Sequence, residues 1–201
     1  MAGRSLFATR FYEAELADPA LVEGLDQACR ALARDDRAGR RWSREHGYRG
    51  YTSYASLDDL PLRDPNFAEL ARRLNRHVGA FAADCAFDLG GRRLKLDSLW
   101  ANVLRPGGAH SGHIHPHSVV SGTFYVAVPP GSGALRLEDP RLPMMMAAPP
   151  RLEDAPEPLR TFVHAEPAPG RLFLWESWLR HEVMPGTGSG ERISISFNYR
   201  L

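Results

Sequence analysis

Two amphipathic helical stretches followed by a succession of short β-type runs predict a mainly β domain with supporting helices, a β-sandwich or jelly roll. Three observations carry this reading. The helical periodicity is confined to the first half of the chain, the later runs are rich in branched and aromatic residues, and turn chemistry rather than helices separates them. A parallel α/β sheet would need a helix between successive strands.

Asp18 before Pro19 is a cap followed by a first-turn proline, and Leu21, Leu25, Ala28 and Leu32 then recur at helical spacing. Asp64 and Pro65 repeat the device, with Phe67, Leu70, Leu74, Val78, Phe81 and Cys85 stepping down one face. Between them, Arg34 to Leu60 is rich in Arg, Gly and Tyr without a sustained period, which predicts irregular structure over one side of the domain and a candidate lid. Strand-type runs follow at Leu94 to Leu104, Val119 to Val128, Ala134 to Glu138, Thr161 to Glu166, Arg171 to Trp175 and Ile193 to Tyr199. The proline-rich gap from Asp139 to Arg160, with its run Met144-Met145-Met146, reads as a surface loop, with a substrate-contacting flap as the alternative. The expected organisation is one domain over residues 1–201: helical support and a candidate lid in 1–93, and the β core in 94–201.

Lys and Arg total 25 against 24 Asp and Glu, so the net charge of +1 supplies no field for nucleic acid or an acidic membrane surface. Any partner is then recognised locally, as a small molecule or a peptide. Cys29 and Cys85 form no paired motif and read as reduced core thiols. Residues 1–16 mix Arg4, Arg10, Glu13 and Glu15 into their apolar positions, unlike a signal peptide, and no segment approaches a membrane span. The expected location is cytoplasmic.

Four of the eight histidines crowd into His110, His113, His115 and His117. On an extended segment alternate side chains share a face, so His113 and His115 can reach one ion, and imidazole suits iron, zinc or copper. A third histidine, His181, follows another strand. Pro116 disturbs the geometry at His117, and His110 reads as a loop residue or a support for the ligands. No paired cysteines are present to build a zinc finger.

In the last strand Ile193, Ile195, Phe197 and Tyr199 alternate with Arg192, Ser194, Ser196 and Asn198. Arg192 and Ser194 share a face, and a guanidinium fork with a hydroxyl two residues on makes a carboxylate clamp. Ser98, Trp100 and Asn102 share a face of one strand, and Ser121, Thr123 and Tyr125 a face of another, so polar groups converge from three strands.

Taken together, His113-x-His115, His181 and Arg192-x-Ser194 resemble, in order and spacing, the 2-oxoglutarate and iron(II)-dependent oxygenases. More narrowly, Trp100-x-Asn102, Ser121-Gly122, Tyr125, Gly133, Asp139-Pro140-Arg141 and the final strand resemble a bacterial branch of that superfamily. The resemblance runs from Trp100 to Asn198 and implies a double-stranded β-helix, a cupin-like jelly roll. It also implies iron(II) held by His113, His115 and His181, with 2-oxoglutarate and dioxygen as cosubstrates. Arg192 and Ser194 would take the far carboxylate of 2-oxoglutarate, and Asn102 and Tyr125 join them as candidate cosubstrate contacts. The implied reaction hydroxylates an unidentified substrate and releases succinate and carbon dioxide. One departure stands out, because His115 occupies the position of the family's usual carboxylate ligand. Two other readings remain open: a cupin-like three-histidine metalloenzyme without 2-oxoglutarate, and a noncatalytic metal- or ligand-binding module.

Overall fold

A computed structural model describes residues 3–201. The strands are β1 (Phe11–Glu15), β2 (Gly50–Thr52), β3 (Lys95–Leu104), β4 (His110–His113), β5 (Val120–Ala127), β6 (Leu135–Glu138), β7 (Phe162–Ala165), β8 (Arg171–Glu176), β9 (His181–Val183) and β10 (Arg192–Arg200). The helices are α1 (Pro19–Asp35), α2 (Arg37–Glu45), α3 (Leu60–Arg63) and α4 (Pro65–Asp84). Six strands form a major sheet in the order β1-β8-β5-β10-β3-β2, and four form a minor sheet in the order β4-β9-β6-β7. Every pairing is antiparallel, and the two sheets make the expected jelly roll.

The predicted helical stripes are the ones that pack. Leu21, Leu25 and Cys29 of α1, with Phe67, Leu70, Leu74, Val78 and Phe81 of α4, form one core with the outward face of the major sheet, including Ile193, Ile195, Phe197 and Tyr199. Both helices start as the sequence predicts: the Asp18 carboxylate accepts from Leu21 N at 3.0 Å and that of Asp64 from Asn66 N at 2.7 Å. A second, smaller core lies between the sheets, where Leu104, Tyr125, Leu135, Phe173 and Trp175 meet. The major sheet is therefore covered on both faces, which is why β10 alternates in chemistry yet is buried almost throughout.

The segment from Arg34 to Leu60 departs from the expected irregular structure, since it contains α2 and β2. Residues 1–93 accordingly supply both edge strands of the major sheet as well as helices. Helix α2 escapes a periodicity search because it buries only Gly39 and Ser43. Its position comes from Asp36, whose carboxylate caps the helix through Gly39 N (3.0 Å) and accepts from Tyr51 Oη (2.9 Å) and Ser56 Oγ (2.6 Å). One side chain thus ties the start of α2 to β2 and to the turn beyond it. The gap from Asp139 to Arg160 is a loop with two short 3₁₀ turns, and Met144 and Met146 are exposed.

Asp36→Ala removes a helix cap and leaves the Tyr51 hydroxyl without its acceptor. The expected loss is about 2–4 kcal/mol, roughly 1 from the cap and 1–3 from the stranded hydroxyl. Asp36→Asn keeps the capping oxygen and should lose less. Urea denaturation of the three proteins checks the order, and a wild-type midpoint in Asp36→Ala would contradict it.

Candidate metal centre

The cluster begins with strand pairing. His113 of β4 and His181 of β9 are direct cross-strand partners, which sets their rings side by side with centroids 4.4 Å apart. His115 lies two residues beyond His113, past the end of β4, and its backbone N–H donates to Ser177 O at 3.0 Å. That bond turns the loop back over β9, so the His115 ring lies parallel to that of His181, interplanar angle 5°, with the two Nε2 atoms 3.2 Å apart. One nitrogen from each of the three histidines lies within 4.8 Å of the other two.

Hydrogen bonds to the opposite ring nitrogens orient two of these lone pairs. His181 Nδ1 bonds Leu179 O at 2.8 Å and His113 Nδ1 bonds Ser111 O at 2.7 Å. A carbonyl only accepts, so each Nδ1 carries a proton, and in the neutral ring this tautomer leaves the lone pair on Nε2. Burial pushes His181 down to about 3 and His115 down to about 4, so both rings are neutral near pH 7. Three imidazole nitrogens converging this closely suit a transition-metal ion. His117, exposed and at φ +72°, lies outside the cluster.

Opposite these rings, the polar face of β10 lines a cavity of about 740 Å³. Arg192 and Ser194 are 5% and 2% exposed, and an Arg192 Nη1 donates to Ser194 Oγ at 3.3 Å. Among the described residues Arg192 has no carboxylate partner, and its guanidinium stacks 4.9 Å from the centre of the Tyr125 ring. Tyr125 Oη, Trp175 Nε1 and Arg192 Nε are buried without a protein partner, and all three residues line this cavity. A fourth such atom, Arg136 Nε, sits against the carboxylate of Glu182. Unpaired buried donors around an unpaired buried cation are costly unless an anionic acceptor joins them.

Asn102 also lines the cavity, but its amide is engaged within the protein. Its Oδ1 accepts from Thr52 Oγ1 (2.9 Å) and Tyr48 Oη (3.3 Å), and its Nδ2 donates to Ser196 Oγ (3.1 Å). Sequence reasoning missed Tyr48, whose hydroxyl lies 2.6 Å from His110 Nε2 on the same wall. It also missed Trp42 and Tyr54, which the supposedly irregular segment brings to the cavity. Met144, Met145 and Met146 of the long loop do not line it.

Residues 98–198 match the model of a family described as "Putative 2OG-Fe(II) oxygenase". No curated protein matches the chain. Among solved structures, a prolyl-4-hydroxylase of Pseudomonas putida superposes with a TM-score of 0.64 at 19% identity, covering 96% of this chain and 92% of that one. HygX of Streptomyces hygroscopicus, with nickel and 2-oxoglutarate bound, gives 0.60 at 16% identity over 96% and 82%. A Trichoplax adhaerens prolyl hydroxylase in complex with a hypoxia inducible factor peptide gives 0.56 at 19% over 94% and 83%. At these identities the likeness is one of fold. No helix among the described residues is long and apolar enough to cross a membrane.

The cluster geometry predicts that His113→Ala or His181→Ala abolishes stoichiometric metal binding, read by elemental analysis of the purified proteins. His115→Ala should weaken it beyond the roughly 10–100-fold typical of a group that only supports a ligand. Full metal occupancy in His181→Ala would remove the assignment.

Proposed function

Because the chain belongs to this family of 2OG-Fe(II) oxygenases, we propose that it hydroxylates a C–H bond of a small-molecule or peptide substrate, with His113, His115 and His181 holding iron(II). It is an oxidoreductase that uses iron(II), 2-oxoglutarate and dioxygen. The proposed reaction converts substrate, 2-oxoglutarate and dioxygen to hydroxylated substrate, succinate and carbon dioxide. Iron(II), when bound, supplies dioxygen activation coupled to oxidation of 2-oxoglutarate.

The observation that carries the cosubstrate assignment is Arg192, a buried guanidinium with no carboxylate partner among the described residues and a free Nε, on the wall of the same cavity as the histidines. Its planar fork and the Ser194 hydroxyl bind the far carboxylate of 2-oxoglutarate. The Tyr125 hydroxyl is a further donor to the same molecule, and the ring beneath the guanidinium keeps that side chain in place. Asn102 braces β3 to β10 and to Tyr48, and its Nδ2, which gives one of its two protons to Ser196, keeps the other for the cosubstrate.

His115 stands where the family's usual ligand set has a carboxylate. Three neutral imidazoles leave the full divalent charge at the site, and so favour an anionic keto acid more strongly than a site already carrying a carboxylate. Trp100 and Trp175, almost fully buried, set apolar rings against His115 and His181. A three-histidine enzyme without 2-oxoglutarate would account for the ligands but would leave the unpaired Arg192 unexplained.

Anaerobic isothermal titration tests the assignment. Arg192→Ala should bind metal like the wild type and bind 2-oxoglutarate at least ~10-fold more weakly, since a charge-assisted bond contributes about 1.5–3 kcal/mol and 1.4 kcal/mol is one decade. Arg192→Lys keeps the charge without the fork and should fall between them. Unchanged affinity in Arg192→Ala, or no 2-oxoglutarate binding by the wild type, would reject the role.

A further inference from the structure

The cavity extends beyond the cosubstrate wall to a mouth built of rings. Trp42 of α2 meets Tyr54 at 6.4 Å between centroids, Tyr54 meets Trp100 at 5.2 Å, and Trp100 lies over His115 at 6.0 Å. This row leads from Tyr54, 60% exposed, through Trp100, 8% exposed, to the metal cluster. The mouth is held in place by its backbone. Ser53 N donates to Ala101 O at 3.0 Å and Ala101 N to Ser53 Oγ at 3.1 Å, fixing the turn before Tyr54 to β3. On the other side Trp42 stacks on His46 at 4.2 Å.

The lining carries a second signal in its charge. Among the described residues two arginines, Arg49 and Arg192, line the cavity, and no aspartate or glutamate does. With a divalent ion on the three histidines and dianionic 2-oxoglutarate beside it, those two charges offset each other, and buried Arg192 with Arg49 at the exposed rim leaves the lining net positive. An ammonium group entering it would be repelled and would meet no carboxylate side chain of the lining. Aromatic rings do attract cations, but against a lining whose charged side chains are both arginines that weak attraction is outweighed by repulsion. The same rings offer flat apolar faces to a neutral ring, which gains dispersion and loses little hydration on entry.

We propose that the substrate enters as an uncharged ring laid against Tyr54 and Trp100, with no cationic group inside the cavity. This inference rests on the oxygenase reading and narrows its substrate class. It disfavours free amines, lysine side chains and methylated ammonium groups as the part that is oxidised. A planar and a saturated ring both present an apolar face, and the probes below separate the two.

The test uses the full-length protein loaded with Zn²⁺, so that binding is read without turnover. Isothermal titration first measures 2-oxoglutarate, then N-acetyl-L-tyrosinamide as the planar neutral ring, N-acetyl-L-prolinamide as the saturated one and N-acetyl-L-lysine methylamide as the cation. The ring probes are also titrated without 2-oxoglutarate. At least one ring probe should bind saturably, and at least ~10-fold tighter than the lysine probe. Tyr54→Ala should weaken the ring probe roughly 3–10-fold, with Tyr54→Phe restoring it, because the substitution removes one aromatic contact at an exposed position. Trp100→Ala should weaken it further, with Tyr54→Ala remaining decisive if that buried substitution unfolds the protein. Absence of ring binding, lysine binding as tight as ring binding, or full ring affinity in Tyr54→Ala would each overturn the inference. Loss of 2-oxoglutarate binding alone, with ring binding intact, would count against the oxygenase assignment and not against the ring site.

Discussion

The two-residue alternation of β10 is the constraint on which the rest of the molecule depends. Ile193, Ile195, Phe197 and Tyr199 seal one face against α1 and α4, while Arg192, Ser194, Ser196 and Asn198 line the cavity on the other. β3 and β5 pair on either side of it, so their own alternation is locked to the same two faces. A shift of one residue would place an arginine in the helix-packed layer and isoleucines against the histidines. The register is reinforced within the sheet: Asn198 donates to Ser98 Oγ of β3 at 3.1 Å and accepts from Ser121 Oγ of β5 at 2.8 Å. Ser121 also bonds Ser177 Oγ at 2.7 Å, and the Ser177 carbonyl holds the His115 backbone. The strand that carries Arg192 is therefore connected by hydrogen bonds to the loop that carries His115.

The parts of the site that rest on local pattern were legible in the sequence. Arg192 and Ser194 share a face because a strand has period two, and the cap-and-proline signals at Asp18 and Asp64 mark where both long helices begin. The pairing of His113 with His115 was legible for an incomplete reason. They do converge, but His115 lies beyond the strand and reaches the cluster through its bond to Ser177 O. Strands β4 and β9 were invisible as elements, since His110–His113 holds no apolar side chain and His181–Val183 is only three residues long.

What pattern could not supply is the wall contributed from far along the chain. Helix α2 is arginine-rich and buries only two small residues, so its existence reflects the Asp36 anchor and not an apolar stripe. Trp42, Tyr48 and Tyr54 reach the cavity through that anchor and through the pairing of β2 with β3. No spacing within the segment announces that they will stand opposite His110 and His115. Long-range pairing of this kind is decided by the tertiary structure and leaves little trace in local sequence.

Charge is the thread that joins the three-histidine cluster to the polar wall of β10. Neutral imidazoles at His115 and His181, an unpaired guanidinium and unpartnered donors at Tyr125 and Trp175 together make a lining that favours an anion. The most direct measurement is the visible absorption spectrum of the iron(II)-loaded protein under anaerobic conditions as 2-oxoglutarate is added. A metal-to-ligand charge-transfer band that grows and saturates at one equivalent is the predicted result, because it requires the keto acid to bind the same ion that the three histidines hold. A protein that binds one equivalent of iron yet develops no such band at saturating 2-oxoglutarate would contradict the account.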